Sequence, residues 1–229
     1  MGESFLVSGG SGGIGGALCR ALAAAGYRPV VGFAKGGEAA RRLAAETGGM
    51  ALPLDLTSDQ SVDAAVERLA GDPTPLAGLV LAASPPPAIG PFGKIAPADM
   101  ALQWRVNVEG PRQLLAGLVR RCLRQRQAGI VVAVLSQAMG DETNATGRGM
   151  GAYLIAKYGL LGLMRVVAAE YPWLRTGTVR PGYTETAMLE AFDPRFLDGV
   201  RGTRPGGRFD APDAVAREIA ATIAALRTA

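Results

Sequence analysis

A tyrosine and a lysine four positions apart are the first candidates for chemistry. They bound the segment "YLIAK", residues 153–157, which leads into a long apolar run. In a helix, side chains at i and i+4 project from the same face. Because an ammonium group stabilises a nearby tyrosinate, Lys157 would lower the pKa of Tyr153 from its usual value of about 10. Such a pair can donate and recover a proton, although a half-buried Tyr beside a rim Lys is also common in amphipathic helices.

Histidine is absent from the chain, which narrows the chemistry further. Ser–His–Asp triads, zinc sites with histidine ligands and proton transfer by imidazole are all excluded. Proton transfer must then use Tyr, Lys, Asp, Glu, Cys or water. The two cysteines, Cys19 and Cys122, lie in separate helical segments, and we interpret them as buried free thiols. No metal site is predicted.

Length and composition are typical of one globular domain. The chain has 229 residues, of which 48% are hydrophobic and 19% charged, and we predict a single domain over residues 1–229. The net charge of +4 is spread along the chain, so it indicates either acidic or phosphorylated ligands or an ordinary basic surface. Basic residues are not gathered with aromatic ones, so nucleic-acid binding is not predicted.

Apolar segments are too short or too interrupted to predict a membrane span. None reaches the roughly 20 residues that a bilayer requires, since Gly, Arg or Pro breaks the longest. The N-terminal segment "MGESFLVSGG" has no basic region ahead of its apolar residues, as a signal peptide would. We therefore predict a cytoplasmic protein without membrane contact.

Strand and helix patterns alternate along the chain. Apolar, β-branched runs predict strands, and the helical patterns between them often end at glycine. Strands are predicted over 4–7, 28–34, 50–56, 76–84, 129–136 and 174–182. Helices are predicted over 14–26, 38–49, 58–71, about 98–126, 152–170 and 211–226, with Ser58 or Asp59 as the N-cap of the third. The alternation predicts the α/β class: a doubly wound parallel sheet, or Rossmann fold, with helices on both faces.

A glycine cluster follows the first predicted strand directly. The segment "SGGSGGIG" spans residues 8–15 and leads into the first predicted helix. Glycines at this point let the backbone approach a phosphate, which then faces the positive end of the helix dipole. A flexible Gly/Ser turn is the alternative, but the position of the cluster favours a dinucleotide loop. Its candidate binding residues are Ser8, Gly9, Ser11, Gly13, Ile14 and Gly15.

The end of the second strand predicts which dinucleotide is bound. NAD-binding loops place an acidic residue about 20 positions after the glycines, where it binds the ribose 2′-hydroxyl. Here that position is Lys35, and no carboxylate precedes it in "VVGFAK". Since an ammonium group attracts a 2′-phosphate, NADP(H) is favoured over NAD(H), unless Lys35 is only a solvated loop residue. Asp55, after the third strand, either accepts a hydrogen bond from the adenine amino group or caps the next helix.

With a nicotinamide bound, the tyrosine and lysine acquire a defined use. Ketone reduction needs a hydride from the cofactor and a proton for the developing alkoxide. Tyr153 would donate the proton, and Lys157 would lower its pKa and reach the nicotinamide ribose. Ser136 ends the fifth strand, at the edge where open α/β sheets bind ligands. Its hydroxyl would hold the carbonyl oxygen, although a serine at a strand end is often a turn residue.

The motifs together resemble the short-chain dehydrogenases/reductases over residues 4 to about 225. "SGGSGGIG" is similar to TGxxxGIG, "YLIAK" to YxxxK, "NVEG" at 107–110 to NVxG, "RPGYTET" at 180–186 to PGxxxT, and "PGGRFDAPDAVA" to PxGRxxxPxEVA. The resemblance implies a catalytic set of Asn107, Ser136, Tyr153 and Lys157, in which the asparagine holds a water of a proton relay. It also implies cofactor contacts at Leu56, Ala82, Ala83, Tyr153, Lys157, Pro181, Gly182, Thr184 and Thr186, in addition to the glycine loop, Lys35 and Asp55.

Several segments depart from the family pattern. The strand-four motif NNAG is "LAAS" at 81–84, so its bracing asparagine is missing and Ser84 replaces a glycine beside the cofactor. The loop "QAMGDETNATGRGMGA", from residue 137, is longer than the family's and enlarges the substrate mouth. The family's usual seventh strand has no counterpart, which predicts a six-stranded sheet. Since that strand serves a tetramer interface, we expect a homodimer formed through helices 98–126 and 152–170, with a tetramer as the alternative.

The substrate is the least determined feature. The chain is most similar to ketoreductases of the 3-oxoacyl-[acyl carrier protein] reductase type, which implies a carbonyl substrate that is small or bound to a carrier or CoA. Arginines at 120, 121, 124 and 126 either dock an acidic carrier or stabilise the end of the long helix. Candidate pocket walls are Met139, Met150, Tyr183, Met188 and Phe192. The alternative function is a redox-sensing module that binds NADP(H) without turnover.

Overall fold

Six parallel strands form one sheet in the computed structural model, which describes residues 2–141 and 146–228. The strand order is β3-β2-β1-β4-β5-β6. The strands are β1 (Ser4–Ser8), β2 (Arg28–Phe33), β3 (Met50–Pro53), β4 (Leu76–Leu81), β5 (Gly129–Val134) and β6 (Leu174–Val179). All five residues of β1 are buried, as expected for a central parallel strand covered on both faces. The predicted doubly wound sheet is confirmed.

Helices cover both faces of this sheet. One face carries α1 (Gly13–Ala24), α2 (Gly37–Thr47) and α8 (Pro212–Thr228). The other carries α3 (Asp59–Ala70), α5 (Gly110–Leu118) and α6 (Gly151–Glu170), with α4 (Pro97–Trp104) packed on α6. The apolar side chains accordingly fall into two core clusters, one on each side of the sheet.

The residues predicted to end or cap helices do so at three helices. Gly26 and Gly48 follow α1 and α2 with φ of 85° and 63°, a left-handed conformation that glycine adopts at little cost. Ser58 is the N-cap of α3, and its hydroxyl accepts a hydrogen bond from Ser61 N at 3.2 Å. Of the two predicted caps, Ser58 is therefore the correct one.

Several element boundaries differ from the prediction. The strands β3, β4 and β5 end earlier; residues just after β4 and β5 line the cavity, whereas Leu54 and Leu56 after β3 are buried in the core. The helix predicted over 98–126 runs through two π-helical segments, Arg105–Glu109 and Val119–Leu123, and ends in a 3₁₀ turn. Helix α7 (Pro194–Gly202) is not predicted at all; Asp193 caps it by accepting from Arg195 N at 2.8 Å. Residues 142–145 of the predicted long loop lie outside the described residues.

Helix α6 is more apolar than the sequence interpretation allows. By length and composition alone, α6 is long and apolar enough to cross a membrane. The prediction that no apolar stretch reaches that length is therefore wrong. In the structure 44% of its most apolar window is buried, and its inner face belongs to the core beside β5 and β6. Glycines within "YGLLGLMRVVAAEY" do not interrupt the helix, because its neighbours supply the packing that the local propensity lacks.

Candidate active site

The glycine loop has the properties that a phosphate group requires. Gly9 adopts a φ of 68°, and the loop closes through hydrogen bonds from Gly10 N to Gly32 O at 2.8 Å and from Gly12 N to Gly9 O at 3.0 Å. Helix α1 then begins without a side-chain cap and without an acidic residue in its first turn. Its N–H groups therefore face the crevice where β1 and β4 diverge, which is the usual dinucleotide position in open α/β sheets.

Close packing joins three of the predicted cofactor segments. A Cβ on Gly9 would lie 2.9 Å from Ala83 Cα, and one on Gly13 would lie 2.6 Å from Thr186 Cγ2. A Cβ on Gly15 would lie 2.2 Å from Gly9 O, inside the loop itself. The loop thus contacts both the end of β4 and the "RPGYTET" segment, and the residues present fit a dinucleotide.

Ser8 braces the "LAAS" segment from the neighbouring strand. Its buried hydroxyl accepts hydrogen bonds from Ala82 N at 3.1 Å and Ala83 N at 3.2 Å. The side chain of Leu56 is likewise buried, in the core cluster beside α3. Neither side chain faces the crevice, so any contact of these two residues with a cofactor would come through the backbone.

Lys35 lies beside the glycine loop and is exposed. The Ser11 hydroxyl donates to Lys35 O at 3.2 Å, which ties the lysine backbone to the loop. Asp55 accepts hydrogen bonds at Oδ1 from Thr57 Oγ1 at 2.7 Å and Thr57 N at 2.9 Å. These bonds hold the pKa of Asp55 below its usual range. Because Ser58 caps α3, the helix-cap alternative for Asp55 is wrong.

Tyr153, Lys157 and Ser136 converge at the carboxyl end of β5. Tyr153 and Lys157 project from the first turns of α6 and are 7% and 2% exposed. The Lys157 Nζ atom lies 5.5 Å from the centroid of the Tyr153 ring and donates to Val134 O at 2.9 Å. Ser136 lies close enough to Tyr153 to lower the pKa of its phenol, and its Oγ accepts from Ala138 N at 3.2 Å. The tyrosine, serine and lysine that the sequence predicts as catalytic are therefore brought together.

Burial determines the proton affinities of this pair. It raises the pKa of Tyr153, and the hydrogen bond with Ser136 offsets this only in part. It also lowers the pKa of Lys157 to about 7. The sequence-based expectation that Lys157 lowers the pKa of Tyr153 is thus wrong in its net direction. The reason is that the cost of burying a phenolate exceeds the stabilisation that its neighbours supply.

The buried Lys157 amine predicts a pH-dependent stability. In the unfolded chain a lysine titrates at about 10.4, so above about pH 7 the unfolded state binds more protons than the folded one. The free energy of unfolding therefore rises with pH from about 7 to about 8.5. We expect Tm to rise over this range in the wild type and to change much less in Lys157→Met. Equal pH slopes in the two proteins would contradict the assigned pKa. The range ends there because the Cys19 thiol, whose pKa burial raises to about 12, has the opposite effect at higher pH.

Asn107 is held by a glutamine that the sequence analysis missed. Its Nδ2 donates to Gln103 O and to Gln103 Oε1, both at 3.0 Å. The buried Oδ1 atom has no hydrogen-bond partner among the described residues. Gln103 is itself 2% exposed and donates from Nε2 to Pro86 O at 2.9 Å and Pro85 O at 3.3 Å. The only signal in the sequence is a glutamine one helical turn before the NVxG asparagine.

A cavity of about 400 Å³ opens onto these residues. Of the predicted pocket walls, Met150, Tyr183, Met188 and Phe192 line it. Met139 does not, because its side chain is fully buried in the core; its carbonyl accepts from Tyr158 Oη and from Thr146 Oγ1 at 3.1 Å. The predicted cofactor residues that line the cavity are Ile14, Ala82, Tyr153, Lys157, Pro181, Gly182, Thr184 and Thr186. Sequence reasoning missed the residues that α7 and the turn after it contribute, which are Val200, Thr203 and Arg204.

A doubly wound sheet with a dinucleotide loop and a tyrosine–lysine site defines a nicotinamide-dependent class of oxidoreductase. Residues 3–195 match the family model of short chain dehydrogenase. The chain belongs to this family, and it is accordingly an oxidoreductase that acts on carbonyl or CH–OH groups and binds a nicotinamide cofactor.

Comparisons with individual proteins agree with this family. The chain is 30% identical over 220 residues to an acetoacetyl-CoA reductase of Shinella zoogloeoides, covering 95% of this chain and 89% of that one. A solved structure of ribose-5-phosphate isomerase from Brucella melitensis 16M has a TM-score of 0.85 at 27% identity, over 96% of this chain and 84% of that one. A solved structure of a gluconate 5-dehydrogenase from Burkholderia cenocepacia J2315, in complex with NADP and tartrate, has a TM-score of 0.83 at 23% identity. The match covers 95% of this chain and 86% of that one. This last likeness is one of fold alone.

Proposed function

We propose that the protein reduces a ketone or 3-oxoacyl carbonyl to an alcohol with NADPH, or catalyses the reverse reaction, with Tyr153 as the general acid/base. The observation that carries this proposal is the convergence of Tyr153, Ser136 and Lys157 on one cavity. That cavity is continuous with the crevice above the glycine loop through Ile14 and Thr186. A binding protein without turnover has no need of a buried proton donor at this position.

Each side chain has one role in this proposal. The nicotinamide, when bound, supplies the hydride. Tyr153 donates its proton to the developing alkoxide, and its raised pKa keeps the phenol protonated until the substrate needs it. Ser136 donates its hydroxyl proton to the carbonyl oxygen, while its Oγ accepts from Ala138 N. Lys157 binds the nicotinamide ribose and, with a pKa of about 7, exchanges protons readily near neutral pH.

The preference for NADP(H) rests on Lys35. The segment after β2 carries this exposed lysine, whose backbone carbonyl accepts from the Ser11 hydroxyl, and has no carboxylate at its start. An ammonium and a hydroxyl together suit a 2′-phosphate. Asp55, whose pKa is lowered chiefly by the hydrogen bonds from Thr57 and to a smaller extent by Arg105 and Lys35, would accept a hydrogen bond from the adenine amino group.

Charge reversal at Lys35 tests this preference. Lys35→Glu is expected to raise the Kd of NADPH by about tenfold or more, because it replaces an attractive charge by a repulsive one. The Kd of NADH should change much less. Fluorescence titration of both cofactors gives the two constants. Lys94→Glu, an equivalent change on an exposed turn, serves as the control. A wild-type preference for NADH, or equal losses in the two variants, would contradict the assignment.

The lining of the substrate pocket favours an apolar or acyl-bearing ketone as the substrate. Its walls are mostly apolar, from Met150, Met188, Leu189 and Phe192, and the Shinella relative is an acetoacetyl-CoA reductase. We therefore propose 3-oxoacyl thioesters, bound to CoA or to a carrier protein, as the first substrates to assay. Loss of NADPH absorbance with a panel of these thioesters, simple ketones and quinones is the experiment that tests the function. No turnover with any member would favour the NADP(H)-binding module.

The arginines near the end of the long helix give little support to carrier docking. Arg121 forms a two-point ion pair with Glu67, with both distances 2.7 Å. Arg126 pairs with Glu3 and donates to Leu76 O at 3.1 Å. These two side chains are thus used within the chain, while Arg120 and Arg124 remain exposed.

We propose a homodimer in which the outer surface of α4 and α6 forms the interface. Leu102 and Trp104 on α4, and Ile155, Tyr158 and Val166 on α6, are each 41–53% exposed. These helices pack side by side, so their apolar side chains form one continuous surface that a second copy would cover. A tetramer, the single domain over 1–229 and a cytoplasmic location stay predictions.

A further inference from the structure

We propose that Gln103 is a positioning residue, which fixes the Asn107 amide and braces the loop that walls the cavity after β4. This inference rests on the proposed function, because it assigns Asn107 to the proton relay that serves Tyr153 and Lys157. Gln103 lies on α4, outside every motif of the family pattern, and is almost fully buried.

The contacts of Gln103 determine which way the Asn107 amide faces. A carboxamide has two N–H donors on one side and an acceptor oxygen on the other. Both oxygen atoms of Gln103 lie 3.0 Å from Asn107 Nδ2. If the Asn107 amide were flipped, its oxygen would face those two oxygens with no proton between them. The arrangement therefore holds Asn107 Oδ1 as an acceptor on the opposite side.

The fixed orientation of Asn107 Oδ1 indicates which kind of group it binds. Asn107 Oδ1 is buried and has no partner among the described residues, and a buried acceptor in a folded protein is normally satisfied by a donor. Ordered water is the usual donor at such a site. The π-helical segment that carries Asn107 packs against α6, the helix that carries Lys157. Gln103 thus prepares a water site whose hydrogen-bonding direction is set in advance.

The other end of Gln103 braces a segment that cannot brace itself. Residues 85–87 are three consecutive prolines, and none of them has an N–H group to form a turn. The Gln103 Nε2 group donates to Pro85 O and Pro86 O, while the adjoining Ser84 and Pro87 line the cavity. The missing bracing asparagine of the "LAAS" segment is thus compensated by Ser8 on one side and by Gln103 on the other.

A double-mutant cycle tests the positioning role. Gln103→Leu keeps about the same side-chain volume and removes the side-chain hydrogen bonds to Asn107, Pro85 and Pro86, while the backbone carbonyl of residue 103 stays. We expect it to lower kcat by about 10- to 100-fold with little change in KM, and Asn107→Ala to do the same. In the double variant the two losses should not multiply, because the two residues act as one unit in the proton relay. Gln113→Leu, a glutamine on the surface of α5 that bonds Asp63 at 3.0 Å, is the matched control and should behave as the wild type.

A measurement that needs no turnover separates this inference from the proposed function. In the wild type the Asn107 side-chain NH₂ protons should exchange slowly with solvent in an NMR experiment, and in Gln103→Leu much faster. The positioning role is overturned if the losses of kcat in the two single variants multiply in the double variant. It is also overturned if kcat is unchanged in Gln103→Leu. Absence of turnover in the wild type contradicts the proposed function instead. Even for a protein without turnover, unchanged exchange of the Asn107 NH₂ protons in Gln103→Leu would overturn the inference about Gln103.

Discussion

Tyr153→Phe is expected to lower kcat by about 10²- to 10⁴-fold and to leave the Kd of NADPH nearly unchanged. The change removes only the hydroxyl that acts as the proton donor, and general acid catalysis contributes about this factor. The ring keeps its place in the core beside Lys157, so the fold and the cleft should persist. Stopped-flow hydride transfer and fluorescence titration measure the two quantities.

Tyr171→Phe is the matched control for this variant. Tyr171 follows the last residue of α6, where its ring packs against Trp173 far along the helix from the cavity. It should show wild-type kcat and cofactor affinity. Full activity in Tyr153→Phe would remove the tyrosine from the mechanism. Loss of NADPH binding in that variant would show that the residue serves the cleft and not the proton transfer.

Gly15→Ala should abolish dinucleotide binding, weakening the Kd of NADPH by at least about 100-fold. The added Cβ would lie 2.2 Å from Gly9 O and 2.8 Å from Gly10 Cα. Both contacts are with backbone, which can move away only if the loop and the start of α1 separate. Since the loop is also packed against Ala83 and Thr186, we expect the displacement to reach the whole cofactor cleft. Calorimetry of NADPH binding, together with Tm, measures the effect.

The adjacent glycine provides the matched control. A Cβ on Gly16 would have no neighbour nearer than 3.7 Å, an ordinary contact distance, and alanine is favoured over glycine in a helix by about 1 kcal/mol. Gly16→Ala should therefore bind NADPH as the wild type does and have an equal or higher Tm. Equal loss of binding in both variants would contradict the close approach at Gly15.

The fold could be predicted from the sequence because its signals are local. Alternating patterns define the sheet, and the cluster at residues 8–15 follows the first strand at the position a dinucleotide loop occupies. The one-turn spacing in "YLIAK" likewise places Tyr153 and Lys157 on one face of α6, where the structure has them. In each case a few neighbouring residues carry the information.

The features that were missed depend on contacts between distant segments. Gln103 is only a polar residue in a helix until its partners at Pro85 and Pro86 are known. Met139 follows the site serine closely, yet the 3₁₀ turn at Gln137–Met139 directs it into the core. The direction of the pKa change at Tyr153 depends on how deeply α6 is buried, which the spacing of two residues does not reveal.

Isotope transfer is the most direct test of the central claim, that this site reduces a carbonyl with NADPH through Tyr153. NADPH that carries two deuterium atoms at C4 would be incubated with each 3-oxoacyl thioester or ketone of the panel and with either the wild type or Tyr153→Phe. Mass spectrometry of the alcohol then follows the label. We expect deuterium at the new carbinol carbon with the wild type and about 10²- to 10⁴-fold slower labelling with the variant. Saturated NADPH binding without a labelled product from any substrate, or equal labelling by both proteins, would contradict it.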